Sequence, residues 1–397
     1  MKRLDNENVF QFLFLIIAFS SQGLSRAGAC MKILVVNGGS SSFKFALFEA
    51  KSVFLRDLEP LWQKTIEFEN SYEDRRAAIK KAFKEVPTPI DRIGHRIVHG
   101  GCLFQKPTFL TPETIKLLQK LSHLAPLHNP INLQGIEEAE CYFPAAPQIG
   151  VFDTAFYTSM PEVAWTYPLP SEWTKEGIRR YGFHGISHQY CMETIQERVG
   201  SDNHKLITCH LGNGSSCTAI LNGKGIDTTM GFTPLEGLMM GTRSGSIDPG
   251  IILYLQKQKN MTIEEVEHCL NKKSGLLGIG GSFDMRKILK AAEMKDSRAI
   301  LALDLYVHCL KKAIGALAST LNGLDTLCFT GGIGENAVPV RQKAVESLEY
   351  LGVKVDSILN GAWKNDGEIS PAASKVKVFV VHVREEWLIA KECFNLQ

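Results

Sequence analysis

The stretch Met31-Lys-Ile-Leu-Val-Val36-Asn37-Gly-Gly-Ser-Ser-Ser42-Phe43-Lys-Phe-Ala-Leu-Phe48 carries the clearest structural signal in the chain. Its first six residues are an apolar, β-branched run that stops at a Gly/Ser turn, and Phe43–Phe48 resumes as a second run. Strand, Gly/Ser turn, strand is the pattern of a hairpin. The same construction returns 175 positions later: Lys205-Leu-Ile-Thr-Cys-His210, then Leu211-Gly-Asn-Gly-Ser-Ser216, then Cys217-Thr-Ala-Ile-Leu221. Gly39-Ser40-Ser41 aligns with Gly214-Ser215-Ser216. Asn222-Gly223 adds a two-residue hairpin signal leading into Ile226-Asp-Thr-Thr229. A repeat at this distance predicts two similar domains, each opening on a Gly/Ser hairpin.

Helical spacing predicts helices over 113–121, 131–139, 188–199, 263–270, 297–321 and 339–350. Residues 376–383 read as a late buried strand and 385–394 as a final helix. Strands alternating with helices place the chain in the α/β class. The Pro- and aromatic-rich segment 143–167 reads as a domain crossover.

The 397 residues suit two to three domains at about 150 residues each. Apolar residues make up 44% and charged residues 22%, with a net charge of +2. That balance excludes a disordered chain, which needs few apolar residues and a large net charge. It also argues against binding nucleic acid through bulk charge. The ten cysteines form no C-x-x-C pair and lie mostly within apolar runs, the pattern of reduced, buried thiols in a cytosolic protein. Residues 1–30 carry Lys2 and Arg3, an apolar run from Val9 to Phe19, and small residues before Cys30. This has the outline of a targeting segment. The alternative is that translation begins at Met31, where a second Met-Lys opens directly into a strand. No later segment is long and apolar enough to span a membrane as a helix.

Gly/Ser hairpins can cradle phosphate, because glycine lets backbone N–H groups approach and serine adds donors. Lys44 adds a positive charge just beyond the first turn. A third glycine-rich loop, Phe329-Thr-Gly-Gly-Ile-Gly-Glu-Asn336, follows a strand and precedes a helical stretch, where phosphate is favoured. It also supports a rival reading. Gly332-x-Gly334-x-x-Ala337 with Asp356 further on matches the dinucleotide fingerprint of a dehydrogenase. That reading leaves both hairpins unexplained. Several other side chains sit in Gly- or Pro-rich contexts: Arg96, His128, Asp153, His184 and Arg243. Two arginines in glycine-rich loops suit phosphoryl and carboxylate recognition, because guanidinium binds both bidentately.

Taken together, Asn37–Lys44, Gly94–Gly101, Arg180–His188, His210–Ser216, Gly241–Pro249 and Thr330–Asn336 closely resemble the acetate kinase family, of the acetate and sugar kinase/Hsp70/actin superfamily. The resemblance runs in order from Met31 to the C-terminus. It implies two ribonuclease-H-like (actin-like ATPase) domains from a duplicated βββαβαβα unit, with a cleft between them. The implied boundaries are 31–153 plus 384–397 for one domain and 154–383 for the other, with 1–30 as an extension. It implies reversible, direct in-line transfer of the γ-phosphoryl of ATP to acetate, giving acetyl phosphate and ADP, with Mg²⁺ or Mn²⁺. It further implies a homodimer in the cytoplasm, feeding acetyl-CoA metabolism, with no nucleic-acid or membrane partner.

By the same resemblance, Arg96 and Arg243 hold the carboxylate and the phosphoryl group, His184 stabilises charge on it, His128 supports it, and Asp153 is the catalytic aspartate. Asn37 and Glu385 match metal positions. Ser40, Ser42, Lys44, His210, Leu211, Gly212, Asn213, Gly214, Asp284, Met285, Arg286, Gly331, Gly332, Ile333, Gly334 and Glu335 match nucleotide contacts. Val98, Leu127, Phe183 and Pro234 match the walls around the acetate methyl group. Three positions depart from the common pattern: Val383-Arg384 before Glu385, Ser246 after Gly245, and Ile186. A cation at Arg384 would weaken metal binding at Glu385. An ATP-driven binding protein of the same superfamily and a propionate or butyrate kinase are the remaining alternatives.

Overall fold

The computed structural model describes residues 30–39, 42–68, 71–200, 204–363 and 366–397. The extension 1–29 and Ser40 lie outside these residues. Two six-stranded sheets repeat one design. The first comprises β1 (Met31–Gly38), β2 (Ser42–Ala50), β3 (Trp62–Glu67), β4 (Arg92–Ile97), β5 (Thr108–Phe109) and β6 (Gln148–Phe152), in the order β3-β2-β1-β4-β6-β5. The second comprises β7 (Lys205–Leu211), β8 (Ser215–Leu221), β9 (Lys224–Thr228), β10 (Thr326–Thr330), β11 (Gly367–Glu368) and β12 (Lys377–Val380), in the order β9-β8-β7-β10-β12-β11. In each sheet three antiparallel strands lead into two parallel ones, and a two-residue antiparallel strand closes the edge.

The quoted hairpins are the first two strands of each sheet. Asn37 faces Lys44 and Gly38 faces Phe43 across β1–β2. His210 faces Ser216 and Leu211 faces Ser215 across β7–β8. Residues 33–38 of β1 are all buried, which is why the run is apolar without alternation, whereas edge strand β3 alternates half-buried and exposed residues. Asn222 and Gly223 both take left-handed backbone angles (φ 52° and 75°), the geometry of a tight β8–β9 turn.

A shared layer joins the sheets. The helices Gly185–Val199 and Glu385–Asn395 contribute Tyr190, Ile195, Trp387 and Leu388 to one apolar cluster. Ile33 and Ala46 reach it from the first sheet, and Leu206, Ile220 and Cys328 from the second. On the far side of the second sheet, helix Ser297–Thr320 buries Leu303, Tyr306, Val307, Leu310, Ile314 and Leu317 at helical spacing.

The structure departs from three sequence expectations. Segment 143–167 is not only a crossover: Gln148–Phe152 is β6, buried throughout and paired parallel to β4, so its apolar run carries no alternation. The helix expected over 339–350 ends at Val345, and Ser347 with φ 70° breaks it before a short 3₁₀ turn. The cysteines are not uniformly buried. Cys191, Cys209, Cys217, Cys328 and Cys393 are, whereas Cys30, Cys102 and Cys141 are exposed. Cys102 lies in the loop after β4, and Cys141 on the outer face of helix Asn129–Tyr142. Among the described residues, no helix is long and apolar enough to cross a membrane.

Candidate active site

A cavity of about 240 Å³ opens between the two halves, lined from one side by Gly39, Ser42, Arg96, Val98, His128 and Asp153. Phe183, His184, Asn213, Gly214, Pro234 and Arg243 line it from the other. Local sequence explains how each wall is held. Arg96 sits at the end of β4, and the following backbone is pinned by helix Asn129–Tyr142. Asn132 Oδ1 accepts from the Val98 N–H at 3.1 Å, and Asn129 Oδ1 from the His99 N–H at 3.1 Å. His128 sits at the N-cap of that helix. His184 takes a left-handed conformation (φ 55°) at the N-cap of Gly185–Val199. Gly214 carries the hairpin loop against it. A Cβ there would lie 3.3 Å from the His184 ring and 3.5 Å from Arg243 Nη1.

Arg96 and Asp153 form a bidentate pair, with Nη2 donating to Oδ2 at 2.6 Å and Nε to Oδ1 at 3.3 Å. Burial pushes the Asp153 carboxyl above its ordinary value, and the guanidinium offsets only part of that rise. Burial lowers the Arg96 affinity for its proton, but Asp153 and Glu385 more than restore it, so the guanidinium keeps its charge. Arg243 differs. Its Nη1 donates to the Pro234 carbonyl at 3.3 Å, and it has no carboxylate partner among the described residues. Burial alone lowers its proton affinity. A half-buried guanidinium without a counter-ion leaves room for an anion to complete the site.

The imidazoles are neutral. Burial, aided by His210, Arg96, His188 and Arg243, holds His184 well below the ordinary histidine range. His128 is lowered to about 3 by burial and by Arg243 and Arg96. His184 stacks on His210 at 4.2 Å between ring centroids.

Beyond Arg96 the site continues into a carboxylate cluster. Asn37 Nδ2 donates to Glu385 at 3.1 Å and to Glu386 at 2.8 Å, and Asn37 Oδ1 accepts from Arg96 at 3.3 Å. Burial raises Glu385, but Arg96, His210, Lys44 and the Asn37 amide outweigh it, so it stays ionised. The two carboxylates are hard-oxygen donors of the kind that suit Mg²⁺, while the Asn37 amide turns its nitrogen to them and its oxygen to Arg96. Glu386 was not singled out from the sequence, although it directly follows Glu385. Arg384 does not disturb this cluster. It donates to the backbone carbonyls of Leu58 at 2.5 Å and Arg56 at 3.2 Å, and pairs with Glu59.

Other positions lie differently from the sequence reading. Leu127 is 45% exposed on the turn before His128 and does not line the cavity. In its place, Val98 and Phe183 pack with Met230 and Met240, all buried. Lys44 lines a separate groove of about 580 Å³ with Gln63, His382 and Glu386. Leu211 and Met285 are core side chains, so only their backbones are available to a ligand. Gly331–Asn336 is itself a short helix. The Glu335 carboxylate turns inward, accepting from the N–H groups of Gly331 and Val383 and facing His382 Nδ1 at 2.6 Å. Asp284 caps helix Met285–Glu293 and pairs with exposed Arg286, apart from the cavity. Asp356 caps helix Ser357–Ala362 through Ile358 and Leu359, so it does not serve as the ribose reader of a dinucleotide site.

Two sheets of one topology about a cleft that carries arginines, neutral histidines and hard-oxygen donors define a phosphotransferase of the duplicated actin-like type. The chain belongs to the acetokinase family, whose family model matches residues 32–391. It is 48% identical over 395 residues to a protein of Protochlamydia amoebophila named acetate kinase, covering 92% of this chain and 99% of the relative. It is 45% identical to one of the same name from Gloeobacter violaceus, with the same coverages. The acetate kinase structure from Porphyromonas gingivalis superposes with a TM-score of 0.81 at 38% identity, covering 92% of this chain and 99% of that one. A propionate kinase structure from Francisella tularensis superposes at 0.83 and 39%, covering 92% and 100%.

Proposed function

We propose that this chain is an acetate kinase that moves the γ-phosphoryl of ATP reversibly to acetate, in line and without a covalent enzyme intermediate. The observation that carries the reading is Arg243, a half-buried guanidinium with no carboxylate partner among the described residues, at the wall of a cavity shared with Arg96, His184 and an apolar corner. A small carboxylate with a short apolar tail answers both halves of that cavity. Acetate is already ionised at neutral pH, so the reaction needs positioning and charge stabilisation more than a base.

In this reading Arg96 and Arg243 hold the acetate carboxylate and the transferring group. Neutral His184 donates a hydrogen bond to the phosphoryl oxygens, and His128 supports it. Asp153 has both oxygens engaged by Arg96, which favours an orienting role over proton abstraction. Asn37 and Glu385, with Glu386, would hold Mg²⁺ or Mn²⁺, which neutralises phosphate charge when bound. Ser42, Asn213, Gly214 and the 331–335 backbone would contact the nucleotide.

The domain boundaries proposed are 31–153 with 384–397, and 154–383. A homodimer is supported by helix Gly250–Lys259, which buries none of its residues and exposes Ile251, Leu253 and Tyr254. A cytoplasmic location follows from the need for ATP. A propionate kinase is the second reading, favoured by the Francisella structure. The deciding experiment is acyl-phosphate formation from ATP with acetate, propionate and butyrate, trapped as the hydroxamate. Acetate turning over best supports the proposal, and propionate turning over best replaces it.

A further inference from the structure

Behind His184 lies a buried chain of polar side chains that the proposed chemistry has not used. His184 Nδ1 is 2.9 Å from Ser216 Oγ, and the same hydroxyl is 2.8 Å from His188 Nε2. His188 Nδ1 is 2.6 Å from Thr208 Oγ1. Thr208, His188 and Ser216 are fully buried. The chain crosses between elements: His188 is one helical turn beyond His184 in Gly185–Val199, Thr208 is on β7, and Ser216 on β8.

Counting hydrogens gives the chain a direction. Burial keeps both imidazoles neutral, with His210 adding to the shift, so each carries one proton. Ser216 has one hydrogen and faces two imidazole nitrogens, so it donates to one and accepts from the other. Suppose His184 held its proton on Nδ1. Then Ser216 would donate to His188, and His188 would donate to Thr208. The buried Thr208 hydroxyl would then have no acceptor among the described residues. An unsatisfied buried donor is costly. His184 would also turn a lone pair towards an anion.

The opposite direction satisfies every group. We infer that Thr208, His188 and Ser216 form a relay that fixes His184 as the Nε2–H tautomer, so that this side chain always presents a donor to the cavity. Thr208 donates to His188 Nδ1, His188 Nε2–H donates to Ser216, and Ser216 donates to His184 Nδ1. The bond made by one ring nitrogen then sets which form the other presents. His188 and Ser216 are positioning residues, because neither lines the cavity. The role rests on the reading of His184 as the phosphoryl donor.

The test is ¹⁵N–¹H correlation NMR of the histidine-labelled full chain at neutral pH, with the His184 signals assigned by their loss in His184→Asn. The relay predicts that wild-type His184 carries its proton on Nε2. In Ser216→Ala it becomes a mixture of tautomers, with kcat lowered on the order of 10–100-fold and the acetate KM little changed. His188→Gln, whose amide can still donate to Ser216, retains more kcat than His188→Leu. A wild-type proton on Nδ1 overturns the relay without recourse to any variant. A Ser216→Ala protein with unchanged tautomer and unchanged kcat overturns it also. Absence of acetate-dependent turnover in the wild type would instead fail the functional reading, while the spectrum alone decides the relay.

Discussion

Gly185 stands directly against the backbone carbonyl of Asp153: a Cβ at Gly185 would lie 1.9 Å from that oxygen. Two residues distant in sequence are thereby locked together, one carrying the Arg96 partner and the other starting the helix that His184 caps. The Ile186 N–H from the same helix start also reaches the Asp153 carboxylate. The helix N-terminus thus supplies both a close fit and a favourable dipole to the buried anion.

Gly185→Ala is therefore expected to damage the site through the backbone. The methyl group forces β6 and the helix apart, at about 1–3 kcal/mol for an overpacked contact. Urea titration should show the loss, and kcat should fall because Asp153 and His184 move together. Wild-type stability and kcat in Gly185→Ala would show that the contact relaxes freely.

The two arginines should separate in their effects. Arg96→Ala leaves Asp153 buried without its cation, a change that typically costs about 3–5 kcal/mol. Arg243→Ala removes a guanidinium that has no carboxylate partner among the described residues, so its stability should match or exceed the wild type. Both should lose roughly 10²–10³ in kcat. Urea midpoints and kcat measured side by side check this. Arg243→Ala as unstable as Arg96→Ala would mean that its role is structural.

The buried histidines set an acid limit on stability. His95 and His99 are lowered to about 4 and His128 to about 3, in each case chiefly by burial. Below the ordinary value of 6.5 the unfolded chain binds protons that the folded chain refuses, so stability falls as pH drops from about 6.5 towards 4. Each such histidine contributes up to about 1.4 kcal/mol per pH unit in that window. His95→Gln should flatten the slope of unfolding free energy against pH by about one proton. An unchanged slope would show that His95 titrates normally. Because His184 is also held neutral, it should contribute no acid limb to kcat near pH 6.5.

Much of this was legible in the sequence, for identifiable reasons. Gly/Ser turns between apolar runs mark hairpins through backbone freedom alone, so both β1–β2 and β7–β8 were readable, and their repetition revealed the duplicated sheets. Arg96, Asp153, His184 and Arg243 each read singly as structural residues and stood out only through the family resemblance; the fold brings all four to one cavity. The misses are matters of three-dimensional direction. Glu335 and Leu127 match a linear pattern, yet one side chain turns inward to hold Gly331 and the other outward to solvent. Met230 and Met240 carry no local signal, since a methionine packed behind a cavity wall reads the same as one in a core. Arg384 looked disruptive because sequence adjacency to Glu385 says nothing about which way its stem runs.

Acyl-chain length tests the apolar corner itself. Val98, Phe183, Met230 and Met240 form a small buried cluster separate from the main cores, and Val98 and Phe183 also line the cavity. Val98 is β-branched and stiff at χ1, so it acts as a fixed stop, whereas the two methionines can repack. A methylene in an apolar pocket is worth about 1–3 kcal/mol of discrimination, or roughly 10–200-fold. The wild type should therefore prefer acetate, then propionate, then butyrate. Val98→Ala removes about two methyl groups of volume and should raise kcat/KM for propionate relative to acetate, by roughly tenfold if one methylene is accommodated. Met230→Ala should have a smaller effect, because a flexible side chain already yields to the longer acid. Met240 is the poorer probe, since its sulfur lies 4.0 Å from Arg243 Nη1 and its loss would disturb the guanidinium. An unchanged propionate/acetate ratio in Val98→Ala would mean that Val98 does not face the methyl group, and would move the acyl pocket elsewhere in the cleft.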